Sequence, residues 1–298
     1  MNLLDFDWIA LAEFSALGLL AGGLQALIAL GFVLIYKGTG AINFAMGEFM
    51  MLGAYFFYTA NVMWGVPMVL ALLLALAAVA ACAALIEKTI LRPLSGQPVI
   101  SVLMATIGLA SALGGGVNAI WGGGKNYEMP SFLPRTPLHI GEVFIPGQVL
   151  WSFVLAAIII ITFTLYFRYS TTGISMRAAA SDPTTAYVLG IDVRATQRLT
   201  WIFAGVVGAV AGIIVASITS LSPAIGGAAL GVLAVIILGG LDSIAGAIVA
   251  GLIVGLLESL TAGYLGGKVR DIVPYVTVLV ILLIRPYGLF GTRQIERL

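Results

Sequence analysis

The chain has 298 residues, of which 9% are charged and 61% hydrophobic, with a formal net charge of +1 and a mean hydropathy of +1.11. Soluble domains carry roughly 25% charged residues, so this composition excludes an ordinary globular core with a solvated surface. It is that of an all-α polytopic membrane protein, and its near-neutral balance gives no reason to expect nucleic acid as a partner.

A bilayer core of roughly 30 Å needs about 20 apolar residues per helix, because backbone polar groups cannot be left unpaired in lipid. By that measure spans are predicted at 13–36, 44–61, 66–86, 98–120, 148–167, 198–219, 226–240, 243–262 and 272–290, within a single membrane domain covering 1–298. Glycine supplies 37 residues, many of them inside the apolar blocks, as expected where helices approach closely. Asp5 and Asp7 precede the first span and no Lys or Arg does, so the start is expected to be a transmembrane helix and not a cleaved leader.

The positive-inside rule orients the chain with its N-terminus outside. Ten cations then fall on inner segments: Lys37, Lys88, Arg92, Arg168, Arg177, Arg194, Arg198, Arg285, Arg293 and Arg297. Four fall outside, namely Lys125, Arg135, Lys268 and Arg270. Trp8, Trp64, Trp121 and Trp151 sit at predicted outer ends, where amphipathic rings prefer the interface. Nine crossings place the C-terminus inside. Reading 226–260 as one span leaves eight and places it outside. Nine is preferred, since Asp242 in an uninterrupted span costs about 2.5–3.5 kcal/mol on insertion scales.

The polar interruptions carry the functional reading. The first is Ile35-Tyr-Lys-Gly-Thr-Gly-Ala-Ile-Asn-Phe-Ala-Met-Gly-Glu-Phe49, whose two glycines stop the first helix and whose Asn43 is placed to begin the next. Asn43 and Glu48 form either an ordinary helical turn, with an acid near the positive end of the dipole, or a polar element facing a pathway. Cys82, the only cysteine, lies in an apolar run and reads as a buried, inert hydrophobe. The outer loop 122–147 carries the only histidine, His139, read as a surface residue and not a metal ligand.

The inner loop between Arg168 and Arg198 reads as two short helices hinged at Asp182, with Asp182-Pro183 as N-cap and first helical residue and Gly190 as C-cap. Its Ala-rich helices leave a Tyr and a Leu exposed, which suits docking of a cytoplasmic partner better than a solvated connector. Leu238-Gly-Gly-Leu-Asp-Ser-Ile-Ala-Gly-Ala247 faintly echoes the first interruption, a pattern that points to a pseudo-repeat around a central pathway. Glu258, deep in the following span, is a structural hydrogen-bonding group or a pathway residue. No HExxH, GxSxG or Walker A run is present, so the chain reads as a non-enzyme with no ATPase site of its own.

Several runs together resemble the LivH-type permease subunit of bacterial branched-chain amino acid ABC importers. They are Gly23 to Gly38, Ile42-Asn-Phe-Ala-Met-Gly-Glu-Phe-Met-Met-Leu-Gly-Ala-Tyr55, Glu87-Lys-Thr-Ile-Leu-Arg-Pro-Leu94, Arg177-Ala-Ala-Ala-Ser-Asp182 with Leu189-Gly-Ile191, the 238–247 run, and Arg285-Pro-Tyr-Gly-Leu-Phe-Gly291. They follow the family's order across almost the whole chain. Met46 departs from it, standing where the family commonly has His.

The resemblance implies a multi-pass protein of the bacterial inner membrane. Its expected partners are a LivM-like second permease, two ATP-binding cassette subunits and a periplasmic solute-binding protein. ATP is bound by the cassette subunits, and no cofactor is expected in this chain. The loop 169–197 would be the coupling element, with Arg177, Asp182, Tyr187, Leu189 and Gly190 as its candidates, and Asn43, Glu48 and Glu258 would line the pathway. The solute would be a branched-chain amino acid or a related urea, amide or carboxylate. The rival reading is a stand-alone secondary transporter or channel, which would want ion-coordinating residues at midmembrane in both halves.

Overall fold

The computed structural model describes residues 8–94, 96–130, 132–285 and 287–291. Asp5, Asp7, Arg293 and Arg297, used above for orientation, and Pro286 of the last motif lie outside the described residues. The helices are α1 (Trp8–Thr39), α2 (Met46–Tyr58), α3 (Met68–Ile86), α4 (Val99–Trp121), α5 (Gly147–Tyr169), α6 (Thr171–Ser181), α7 (Pro183–Val188), α8 (Val193–Ile218), α9 (Ala224–Gly239), α10 (Ile244–Tyr264), α11 (Gly267–Arg270) and α12 (Val273–Ile284). Six of the described helical segments are long and apolar enough to cross a membrane: α1, α3 with its extension to Leu94, α4, α5, α8 and α10. The protein is therefore a mostly helical, multi-pass membrane protein. α2, α9 and α12 occupy the other three predicted positions and are shorter.

The last predicted span overshoots. α12 ends at Ile284, and Arg285 is extended (φ −136°, ψ 92°) because the proline that follows it disfavours helical backbone. α2 continues into a π turn, Thr59–Met63, and α3 into a π turn, Glu87–Leu91. The 122–147 loop adds an element to the all-α expectation: strands β1 (Leu138–Ile140) and β2 (Val143–Ile145) pair antiparallel, His139 opposite Phe144. Three-residue strands flanked by Pro and Gly give no alternation long enough to read from sequence.

α1 and α8 form the centre, with 72% and 61% of their apolar windows buried, whereas α4 has only 11%. α1 packs lengthwise on α10 and also on α8, and α2 packs on α8 and α9. The α1–α10 seam is made of glycine: a Cβ at Gly22 would stand 2.5 Å from the Gly251 carbonyl oxygen, and one at Gly255 2.5 Å from the Gly22 Cα. In lipid, where apolar side chains gain nothing by leaving the solvent, such backbone approach is what holds helices together.

The connections gather at two ends. At one, the Phe144 N–H donates to Glu13 (2.7 Å), Tyr127 and Leu221 exchange two backbone hydrogen bonds of 2.9 Å, and Phe14 meets Tyr264 edge-on. At the other, Lys37, Arg177 and Asp242 line one cleft of about 580 Å³. There the Leu289 and Phe290 N–H groups donate to the Leu238 and Gly239 carbonyls at 2.8 and 3.0 Å, so two motifs far apart in sequence pack as one.

Candidate functional site

Asn43 lies in the turn before α2, 1% exposed, and its Oδ1 accepts the Ala45 N–H at 2.9 Å. That Asx turn sets the entry to α2, which begins three residues later than Asn43. The Asn43 Nδ2 has no hydrogen-bond partner, and neither do the Glu48 Oε2 and the Tyr55 hydroxyl on α2. Glu48 sits against two other helices at glycines: a Cβ at Gly226 of α9 would be 2.9 Å from its Oε1, and one at Gly114 of α4 3.6 Å from its Oε2. Its helix meets α9 closely as well, since a Cβ at Gly47 would stand 1.9 Å from the Gly226 carbonyl oxygen.

Tyr55 was not singled out by the sequence reading. It is fully buried beside Trp121 (ring centroids 5.2 Å) and Tyr127 (6.4 Å), with Tyr58 also on Tyr127 (5.1 Å). The Trp121 indole donates to Thr59 at 2.8 Å, and the Tyr127 hydroxyl donates to the Trp121 carbonyl. The cluster packs the C-terminal end of α2 against the C-terminal end of α4. Its sequence signal was the aromatic recurrence Tyr55, Phe56, Tyr58 on one side and Trp121, Tyr127 on the other.

Glu258 stands apart from these groups in its bonding. Its Oε2 accepts from Gln25 Nε2 of α1 at 2.9 Å and lies 3.4 Å from Arg270 beyond α10. The carboxylate is thus both hydrogen-bonded and neutralised, as a structural tie between α1 and α10 would be. Met46 is fully buried on the other side of α2 from Glu48. A Cβ at Gly31 of α1 would be 2.0 Å from the Met46 Cε, and one at Gly208 of α8 2.7 Å. Met46 therefore fills the space between α1 and α8.

The loop between Arg168 and Arg198 contains the two helices read from sequence. α6 is capped by the Ser170 hydroxyl, which accepts the Gly173 N–H at 2.9 Å. Asp182 caps α7, accepting the Thr184 and Thr185 N–H groups at 2.9 and 3.1 Å and the Thr185 hydroxyl. The far end is a Schellman turn: Gly190 at φ +85° donates to Tyr187 and Ile191 donates to Ala186, both at 3.0 Å. Between these caps Tyr187, Val188 and Leu189 are 75%, 78% and 73% exposed. Arg177 faces inward instead. It donates to the Phe167 carbonyl and to the Arg168 carbonyl (3.2 Å), and lies over the Phe167 ring, 5.6 Å from its centroid. It thereby caps α5 and sets the angle of the hairpin.

The Thr185 hydroxyl and the two backbone donors hold the Asp182 carboxyl below the usual aspartate range. A lowered folded value means the cap is complete above the unfolded pKa and is lost only as pH falls through the folded one. α7 is therefore expected to keep its cap at neutral and mildly acid pH. Asp182→Ala is expected to speed amide exchange at Thr184 and Thr185 severalfold, and Asp182→Asn, which keeps an acceptor, to speed it less. Equal exchange in all three proteins would show that the cap does not hold the helix.

Residues 15–282 match the family described as branched-chain amino acid transport system / permease component. The high-affinity branched-chain amino acid transport system permease protein LivH of Escherichia coli (strain K12) is 29% identical, over 94% of this chain and 95% of its own. The corresponding protein BraD of Pseudomonas aeruginosa is 31% identical with the same coverage. The probable branched-chain amino acid transport permease protein LivH of Methanocaldococcus jannaschii is 29% identical over 92% of this chain and 91% of its own. With the match running from the first quarter of α1 almost to the end of α12, the chain belongs to the branched-chain amino acid transport system / permease component family.

Proposed function

We infer that the chain is a permease subunit of an ATP-driven importer in a bacterial inner membrane, passing a branched-chain amino acid delivered by a periplasmic binding protein. Nine crossings with the N-terminus outside agree with the gathering of Lys37, Arg177, Asp242 and Leu289 at one end and of Glu13, Tyr127 and Arg270 at the other. The exposed apolar flanks of α4 and α12, with Ile100, Met104, Leu279 and Leu283 among them, would be covered by a second, LivM-like permease and by lipid.

The observation that carries this reading is the α6–α7 hairpin. Three consecutive apolar side chains stand exposed at its tip, on a helix whose two ends are both capped. A connector with no partner would not fix apolar residues in water. Two ATP-binding cassette subunits would grip that tip, beside an open cleft of about 910 Å³ bordered by Thr184, Tyr187, Asp192 and Arg194. ATP binds to them, and this chain supplies the path and the lever.

Purification of the tagged chain after co-expression with its genomic neighbours is expected to bring ATP-binding subunits with it. Proteoliposomes of that complex are expected to take up leucine only with ATP inside and a binding protein outside. Uptake by this chain alone, without ATP, would instead make it a secondary transporter or channel.

A further inference from the structure

Buried polar groups without partners are few in native proteins, and each marks a place where water, an ion or a ligand is missing from the account. Among the described residues five such side-chain atoms occur, and three of them, on Asn43, Glu48 and Tyr55, belong to α2 and the turn before it. Glu48 and Tyr55 are two turns apart and share a helix face. Asn43 and Tyr55 are 1% and 0% exposed, so water at the surface does not satisfy them.

The acids set among the spans differ in charge balance, and the most buried of them, Glu87, is paired with Arg92 at 2.8 Å. Glu258 has Arg270 and Gln25, whereas Glu48 enters no ion pair among the described residues. Two of the neighbours of its carboxylate are glycines, Gly226 and Gly114, which present backbone there and no side chain of their own. An unpaired acid among apolar helices is expensive, and a positive group placed against it removes much of that expense.

The geometry points to a cation-recognising station on α2: Glu48 receives the ammonium group of the passing solute, and the Tyr55 hydroxyl is the next hydrogen-bonding group toward the aromatic cluster at Trp121. The inference rests on the permease reading and sharpens its substrate class. A zwitterion with a free ammonium gains a charged partner in this lane. Urea and neutral amides gain none, and a carboxylate lacking the amine is repelled. Binding of the whole amino acid by a separate protein does not remove the need for such a station, because the solute is released from that protein before it crosses.

The test uses the intact transporter reconstituted with its ATP-binding subunits and binding protein. In Glu48→Gln, ATP-driven leucine uptake is expected to fall by about tenfold or more, since a charge-assisted hydrogen bond becomes a neutral one. The variant should still co-purify with its ATP-binding subunits in the parent's amount, because Gln keeps the shape of the side chain. Uptake at the parent's level overturns the inference while leaving the permease reading intact. A failure of ATP-driven uptake in the parent would remove that reading itself.

A second measurement needs no variant. Carbodiimide labelling of Glu48 in the parent complex, read by peptide mass, should be slowed by leucine and by isopentylamine, and not by 4-methylpentanoate. Equal protection by 4-methylpentanoate, or none by leucine, overturns the inference.

Discussion

Gly22→Leu is expected to prevent stable folding of the chain. α1 and α10 meet through Gly18 and Gly22 on one side and Gly251 and Gly255 on the other, each pair four residues apart and so on one face. A Cβ at Gly22 would fall 2.5 Å from the Gly251 carbonyl oxygen and 2.9 Å from the Leu252 Cα, and both are backbone atoms that cannot swing aside. Overpacking in a yielding core costs about 1–3 kcal/mol. Here the whole seam must open, and the Gln25–Glu258 bond along the same two helices opens with it. Because that is a sizeable share of the roughly 5–15 kcal/mol that separates a folded domain from its unfolded states, solubilised yield and melting temperature should both collapse. Gly108→Ala on α4 is the control, since a Cβ there meets nothing within 4 Å, and it should change stability by less than about 0.5 kcal/mol. A Gly22→Leu protein that melts with the parent would show that α1 and α10 are not held by this approach.

That seam shows what the sequence does and does not disclose. Apolar blocks of about 20 residues are written directly in composition, so the six long spans could be placed, and the Asp-Pro signal of the 168–198 loop placed the start of α7 to the residue. The caps were readable because they act between residues close in the chain. Which glycines meet was not, because Gly22 and Gly251 come together only when two helices distant in sequence cross. The same limit applies to Glu258, which looked like Glu48 as an acid in an apolar run until Gln25 and Arg270 were found beside it. It applies also to Tyr55, which is one aromatic among many until its hydroxyl proves to be buried without a partner. Arg177 was expected on the docking surface and instead holds the base of the hairpin, because the free carbonyls at the end of α5 are the nearest acceptors for a guanidinium.

Replacing Tyr187 and Leu189 together by Ser is expected to separate ATP hydrolysis from transport. Both side chains are about three-quarters exposed, so their loss should leave the melting temperature of the isolated chain unchanged within about 0.5 kcal/mol. At an interface the accounting differs: truncation of a central aromatic or aliphatic anchor costs about 2 kcal/mol or more, and that is roughly a thirtyfold loss of affinity per anchor. On the importer reading proposed above, the ATP-binding subunits should then wash off in purification, or stay and hydrolyse ATP without leucine uptake. Gly190→Val should give a milder form of the same defect. At φ +85° a β-branched residue is strained by about 1–2 kcal/mol, which frays the Schellman turn and lets the tip wander while keeping its side chains. The two variants therefore separate contact from rigidity. If the double Ser variant transports leucine at the parent's rate, the hairpin is not the lever, and the exposed apolar tip would need another partner. If only Gly190→Val transports normally, the contact matters and the fixed geometry does not. If both lose uptake while the isolated chain melts normally, the ATPases act on this chain through a short helix held rigid at both ends. Its base is tied to α5 by Arg177, so in that case a shift of the tip would be carried into the spans through the end of α5.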